Sequence, residues 1–250
     1  MFMCDFYLLD LSGIYTRKKF WDGNNPVRID LRDISGTNCY CDDQSAAEIR
    51  ERTKNLCRNS IRFIDSGNYH YVSFLLAGSV KEPFNMLVFD HHTDMQNPQF
   101  GDILSCGGWI RYLIKDHLYL KKLVLIGPPR MDFQEVDDDL KQKVIFVDQE
   151  HEQKAEEVIR TELAEFPLYI SVDKDVLDKE YAETAWTQGT MSDQVLLRLL
   201  GEAAGTAGAG RILAVDVCGE QPPEAGRCPD PNDRTNARIL NWYRGLQDEE

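Results

Sequence analysis

Short apolar runs recur along the chain, each ending in polar or acidic residues and each separated from the next by a stretch with helical periodicity. The runs are Phe6 to Leu11, Ile61 to Ile64, Met86 to Phe89, Leu123 to Ile126, Val144 to Val147, Leu168 to Val172 and Ile212 to Val217. Their β-branched residues and lack of internal proline predict strands covered on both faces. Between them, Ser45 to Arg58, Trp109 to Leu118, Gln153 to Glu165, Asp193 to Ala203 and Asp233 to Arg244 read as helices, with Ser192 as the N-cap of the fourth. Strands alternating with helices predict an α/β fold on a parallel sheet. The Gly- and Ala-containing stretch Gly201 to Gly210 reads as a frayed helix end feeding the last strand, because that strand is as apolar as the others. Periodicity says nothing of strand order.

A chain of 250 residues is within reach of one hydrophobic core, so a single α/β domain over 1–250 is expected. An apolar fraction of 42% with 28% charged residues is ordinary for a soluble globular protein. Forty-two acidic against 28 basic residues give a formal charge of -14, which disfavours nucleic acid and anionic membrane as partners. The seven cysteines, at 4, 39, 41, 57, 106, 218 and 228, show no zinc-like spacing, and reduced thiols in a cytoplasmic protein fit them best. Met1 to Leu11 carries Asp5 and Asp10 and lacks a basic start, so it does not read as a secretion signal.

In open α/β sheets, functional residues gather beyond the carboxyl ends of strands. Asp90 follows the Met86 run, Asp173 the Leu168 run, and Glu220 comes shortly after the Ile212 run. In Asp90-His91-His92-Thr93-Asp94, alternate residues of an extended chain project to one side, so Asp90, His92 and Asp94 are expected to converge. Asp173-Lys174-Asp175 repeats the device. An aspartate at a strand end is by itself as often a helix cap as a ligand. Four carboxylates brought together would repel one another unless cations neutralised them, and oxygen-rich ligation favours Mn²⁺ or Mg²⁺ over Zn²⁺. Two adjacent metals can share a carboxylate and a hydroxide nucleophile.

These residues carry a resemblance to the arginase, agmatinase and formimidoylglutamase group of ureohydrolases, in order from about residue 60 to 223. The family's Asp-Ala-His-x-Asp resembles Asp90 to Asp94 with His91 in place of Ala, and its Ser-x-Asp-x-Asp-x-x-Asp is met by Ser171, Asp173, Asp175 and Asp178. Its Gly-Gly-x-His resembles Gly67 to His70, and its Asp-x-x-Glu-x-x-Pro is similar to Asp216, Glu220 and Pro222 with one residue more between Asp216 and Glu220. The resemblance implies a three-layer α/β/α sandwich with a mostly parallel central sheet, the architecture also found in the related deacetylases. It implies two Mn²⁺ per chain, one held by His70, Asp90, Asp94 and Asp173, the other by Asp90, His92, Asp173 and Asp175. It further implies hydrolysis of a C–N bond in a small cationic guanidino or amidino substrate, with Asp94 accepting a proton and Glu220 pairing with the cation. Homo-oligomeric assembly is common in such relatives, and the short C-terminal tail offers no evidence on it. Asp216 is expected to be a structural partner at the sheet edge.

Departures accompany the match. Cys106 stands where the family carries its proton-shuttling His, Gln96 replaces an Asn that grips the substrate, and 179–192 lacks the usual Pro-Gly-Gly loop, leaving Trp186 as a pocket candidate. Cys106 is therefore a candidate catalytic thiol, weighed against a small buried residue. His117 and His151 are expected to be surface or capping residues. Two other readings remain: an amide hydrolase of the deacetylase type around one zinc, and a family member that binds a metabolite without turnover.

Overall fold

The computed structural model describes residues 6–16, 18–21, 23, 26–98, 101–221 and 231–248. Cys4, Cys228 and Pro222 lie outside them. Each predicted apolar run forms a strand: Phe6–Asp10 (β1), Ser60–Ile64 (β4), Phe84–Phe89 (β5), Leu120–Ile126 (β7), Val144–Val147 (β8), Leu168–Asp173 (β9) and Ile212–Cys218 (β10). With Val27–Asp30 (β2) they make an eight-stranded sheet in the order β2-β1-β4-β10-β9-β5-β7-β8, every pairing parallel. Periodicity missed β2, an exposed edge strand whose sequence Val-Arg-Ile-Asp offers no apolar run. It also missed the two-residue strands Tyr40–Cys41 (β3) and Leu104–Ser105 (β6), which pair antiparallel beside the sheet.

Alternation sorts the strand residues onto two cores. Phe6 and Leu8, Ile61 and Phe63, Leu87 and Phe89, Ile170 and Val172, and Val215 and Val217 face one side, against Asp193–Ala207 (α7) and Pro231–Asp248 (α8), which supply Leu196, Leu199, Ile239 and Leu240, and Ala155–Glu162 (α6). Met86 and Val88, Tyr169 and Leu213 face the other, against Asp43–Thr53 (α1), Val72–Ala77 (α2) and Trp109–Asp116 (α3). Burial on both faces, at about 1.5–3 kcal/mol for each large side chain, favours the three-layer α/β/α arrangement. Two short helices, Arg130–Gln134 (α4) and Asp138–Lys141 (α5), connect β7 to β8.

Helix ends follow their caps. The Ser192 side chain accepts the Val195 N–H at the start of α7, as predicted, and α7 runs to Ala207, beyond Ala203, until Gly208 at φ 86 ends it. Asp42 caps α1 through the Ser45 N–H, which starts that helix two residues earlier than its apolar pattern suggests.

The order of strands brings β4, β10, β9 and β5 together at the middle of the sheet. Asp216, on β10, is thus central rather than at the edge. It is wholly buried, accepts the Tyr169 hydroxyl at 2.6 Å and lies 3.7 Å from Arg62. Burial pushes its carboxyl up, and the Arg62 charge works against that rise.

Candidate metal centre

The carboxyl ends of β4, β5 and β9 deliver the predicted residues to one place. After β4 a single helical turn, Gly67–Tyr69, leads into His70, whose N–H bonds to the Gly67 carbonyl at 3.1 Å. His70 Nε2 is hydrogen-bonded to Ser171 Oγ at 2.9 Å, and Ser171 Oγ to Ser73 Oγ at 3.2 Å. This fixes the ring with Nδ1 facing three carboxylates: Asp90 Oδ2 and Asp94 Oδ2, both at 3.1 Å, and Asp173 Oδ2 at 3.5 Å.

Beyond β5 the chain curls around its own carboxylate, with the His92 N–H donating to Asp90 Oδ1 at 2.6 Å and the His91 N–H to Asp175 Oδ1 at 2.9 Å. His92 Nδ1 lies 2.8 Å from Asp175 Oδ2 and 3.6 Å from Asp90 Oδ1, while its Nε2 bonds to Thr187 Oγ1 at 2.9 Å. Asp94 joins the cluster, though not by simple alternation. Its φ of 48 is left-handed, a conformation rarely taken by a residue other than glycine, and it turns the carboxylate back toward His70. The Trp109 indole N–H holds Asp94 Oδ2 at 2.6 Å, a support that no sequence spacing announced.

Two groups could therefore hold a cation, His70 with Asp90 and Asp94, and Asp90 with His92 and Asp175. They share Asp90. Asp173, expected to belong to both, stands beside them, its Oδ1 engaged by the Asp175 N–H at 3.0 Å. Gly219 makes room for it: at φ 88, a Cβ there would come 2.4 Å from Asp173 Oδ1.

The donor chemistry fits divalent cations. His70 Nδ1 and Asp90 Oδ2 are buried without any hydrogen-bond partner although they are 3.1 Å apart. Burial and the Asp90 charge push the Asp94 carboxyl up to about 7, and burial with the Asp173 charge raises Asp175 well above the carboxylate range. Burial works against charge on His92, but Asp175 and Asp90 overcome it and push the imidazole up to about 12. His70 is raised in the same way against its burial, by Asp90, Asp94 and Asp173. A bound cation must displace these protons. The affinity for Mn²⁺ is accordingly expected to rise with pH through neutrality, by about tenfold per pH unit for each proton released, and titration calorimetry in buffers of differing ionisation heat measures the protons. An affinity flat across that range would rule out this displacement.

Glu220 does not join the cluster. It is 1% exposed, with Oε1 at 2.5 Å from Lys174 Nζ and Oε2 at 2.9 Å from Lys18 Nζ, and Asn232 and Asn236 donate to the same carboxylate. Burial would raise its pKa, yet the two lysines hold it down at about 2. Gly219 occupies the place beside Asp173, and Glu220 is turned into the lysine pair. The expected cation-pairing role of Glu220 is corrected on that geometry, and the lysines were invisible beforehand because their positions in sequence bear no fixed relation to Glu220.

A cavity of about 310 Å³ opens over Asp90, His92, Asp94, Asp173 and Asp175, walled by Cys39, Tyr40, Gln96, Cys106 and Trp186 among others. Trp186 is 43% exposed, donates to Asn68 Oδ1 at 2.9 Å and places its ring 6.1 Å from that of His92. Cys106 is at the cavity, neither fully buried nor beside a base. Burial and the Asp94 charge push its thiol far up, which leaves it protonated at neutral pH. Elsewhere, His117 caps the end of α3 and bonds to the Ala77 carbonyl at 2.9 Å. His151 pairs with Asp148 at 2.6 Å in a separate group with Glu150, beyond the end of edge strand β8.

Comparison with known proteins adds an independent finding. The sequence profile described as Arginase family matches residues 11–227. An uncharacterized protein of Thermotoga maritima is 29% identical over 235 residues, 94% of this chain and 88% of that one. Among solved structures, a formimidoylglutamase from Bacillus subtilis subsp. subtilis str. 168 gives a TM-score of 0.71 at 16% identity, covering 97% of this chain and 86% of that one. An arginase from Medicago truncatula gives 0.69 at 17% identity, covering 96% and 86%. An agmatine ureohydrolase of Thermoplasma volcanium gives 0.66 at 14%, covering 98% and 90%. At such identities the structures establish a shared fold.

Proposed function

The chain belongs to the arginase family, and from that premise we propose that it is a binuclear metal-dependent hydrolase cleaving a C–N bond of a small guanidino or amidino compound. The observation that carries this reading is the pair of cation-ready groups sharing Asp90 at the floor of the cavity. A pair of divalent ions bound there supplies Lewis acidity and brings water within reach of deprotonation at neutral pH. In the same reading His70, Asp90, His92, Asp94, Asp173 and Asp175 hold the ions, with manganese the favoured metal on grounds of oxygen-rich ligation.

The protein's own side chains then have separable tasks. Asp94, its Oδ2 fixed by Trp109, presents a carboxylate that can accept and return a proton at the cavity floor. Trp186 and Tyr40 offer flat walls to a planar substrate group, and Gln96 and Ser105 offer polar contacts. The engagement of Glu220 with Lys174 and Lys18 supports a second reading, in which the substrate is an uncharged amide, since the carboxylate that would pair with a guanidinium is already neutralised.

The test is to load the protein with Mn²⁺, count bound ions by elemental analysis, and assay urea, ammonia and free amine across panels of guanidino compounds, amidines and carboxamides. Binding of about two ions per chain, with turnover in the guanidino or amidino panel, is the result expected of the first reading. Turnover confined to carboxamides would favour the second. One tightly bound zinc per chain would replace both with a single-metal amide hydrolase, and silence across the panels at full occupancy would leave a protein that binds without turning over.

A further inference from the structure

The proposed hydrolysis leaves two thiols in the cavity wall without a task. β3 and β6 pair with Tyr40 opposite Ser105 and Cys41 opposite Leu104. Just beyond the ladder the Cys106 N–H donates to the Cys39 carbonyl at 2.9 Å, which draws the two backbones together. The adjoining ladder pair, Tyr40 and Ser105, is opposed as strand residues are, at about 4.5–5.5 Å between Cα atoms, which brings the backbones of Cys39 and Cys106 near the roughly 4.4–6.8 Å that a disulfide spans. The side chains meet as well. Cys39 takes a left-handed φ of 63, and the two thiols are close enough to perturb one another's ionisation. Both are half-buried and both line the cavity, so a small reagent entering it reaches them.

We propose that Cys39 and Cys106 form a modification site, a cross-strand dithiol that a low-molecular-weight disulfide oxidises to a disulfide in the cavity wall. The Cys39 thiolate attacks one sulfur of the reagent, forming a mixed disulfide and releasing one small thiolate, which takes up a proton. The Cys106 thiol gives its proton to solvent and its sulfur attacks the Cys39 sulfur, releasing the second small thiol. The protein loses two hydrogens in all, and the reagent's S–S bond is reduced to two thiols, with no further oxidant required. Cys106 also opens the turn that leads into α3, where Trp109 holds Asp94. The new bond therefore ties the wall of the cavity to the support of a proposed metal ligand.

The experiment treats the reduced full-length chain with oxidised glutathione and maps its peptides without reduction. A cross-linked pair of peptides containing Cys39 and Cys106 is expected, with both returning as free-thiol peptides on adding dithiothreitol. Cys57, which is exposed, provides the contrast: it should carry a stable glutathione adduct and no cross-link. Cys39→Ser and Cys106→Ser should each abolish the cross-link, and the peptide map of the unsubstituted chain decides the matter if either variant fails to fold. Stable glutathione adducts on Cys39 or Cys106 without a cross-link would overturn the proposal. So would two free thiols at these positions once Cys57 has reacted completely.

Discussion

Asp90→Asn is expected to reduce bound divalent metal to one ion or fewer per chain and to lower hydrolytic turnover by well over ~100-fold, the upper range for changes that touch only the partners of a ligand. The reasoning rests on sharing. Asp90 is the one residue common to both cation-ready groups, with Oδ2 toward His70 and Oδ1 toward His92. An amide nitrogen at either position offers a donor where a cation needs an anion, so both sites suffer from one change. Trp109→Phe serves as the graded comparison, because it removes the donor to Asp94 Oδ2 while keeping an aromatic ring beside His70 and every carboxylate in place. Its loss should fall in the range of about 10–100-fold, with the metal count retained. Elemental analysis and the rise in Tm on adding Mn²⁺ read the metal term separately from catalysis. A variant at Asp90 that still binds two ions with the affinity of the parent would remove the proposed centre.

The parts of this centre that could be seen beforehand are those whose neighbours in space are also neighbours in sequence. Asp90, His92 and Asp94 lie within five residues, and Asp173 and Asp175 within three, so their type and spacing behind a buried strand carried the chemistry. His70 was legible only through its motif, since its partners Ser171 and Ser73 come from β9 and α2. The strands were legible for a similar reason. Continuous burial on both faces demands uninterrupted apolar runs, and β1, β4, β5, β9 and β10 are buried at every position. Where a strand has one exposed edge, as β2 does, charge is tolerated and the signal disappears. Backbone handedness was equally hidden. The left-handed residues Cys39 and Asp94 each redirect a side chain at the cavity, and neither residue type announces it. Asp216 could be recognised as structural but not as central, because strand order depends on crossovers that local periodicity does not encode.

The lysine pair around Glu220 yields the largest expected effect on stability. Lys174 is wholly buried, and its ammonium donates to Glu220 Oε1 at 2.5 Å and to Asn236 Oδ1 at 2.9 Å. Lys174→Met keeps the volume and removes the charge, leaving a buried carboxylate with Lys18 as its one remaining ion-pair partner among the described residues. Breaking a buried pair in this way costs about 3 kcal/mol or more, a fall of ~10 °C in Tm for a chain of this size. The pH dependence identifies the cause. Glu220 is held at about 2, below its ordinary value of 4.5, so its contribution is present above that ordinary value and is lost as pH falls toward 2. With Lys174 gone, burial raises the Glu220 pKa, and the variant takes up its proton at higher pH than the parent. The stability gap should therefore be widest near neutrality and close progressively through the acid range. Adding Glu220→Gln to Lys174→Met removes the stranded charge and should recover part of the loss at neutral pH, while Glu220→Gln alone should keep the metal count, since Glu220 faces the lysines and not the cations. A Tm for Lys174→Met within a degree or two of the parent, or a gap that widens on acidification, would show that Glu220 does not depend on this lysine for its charge.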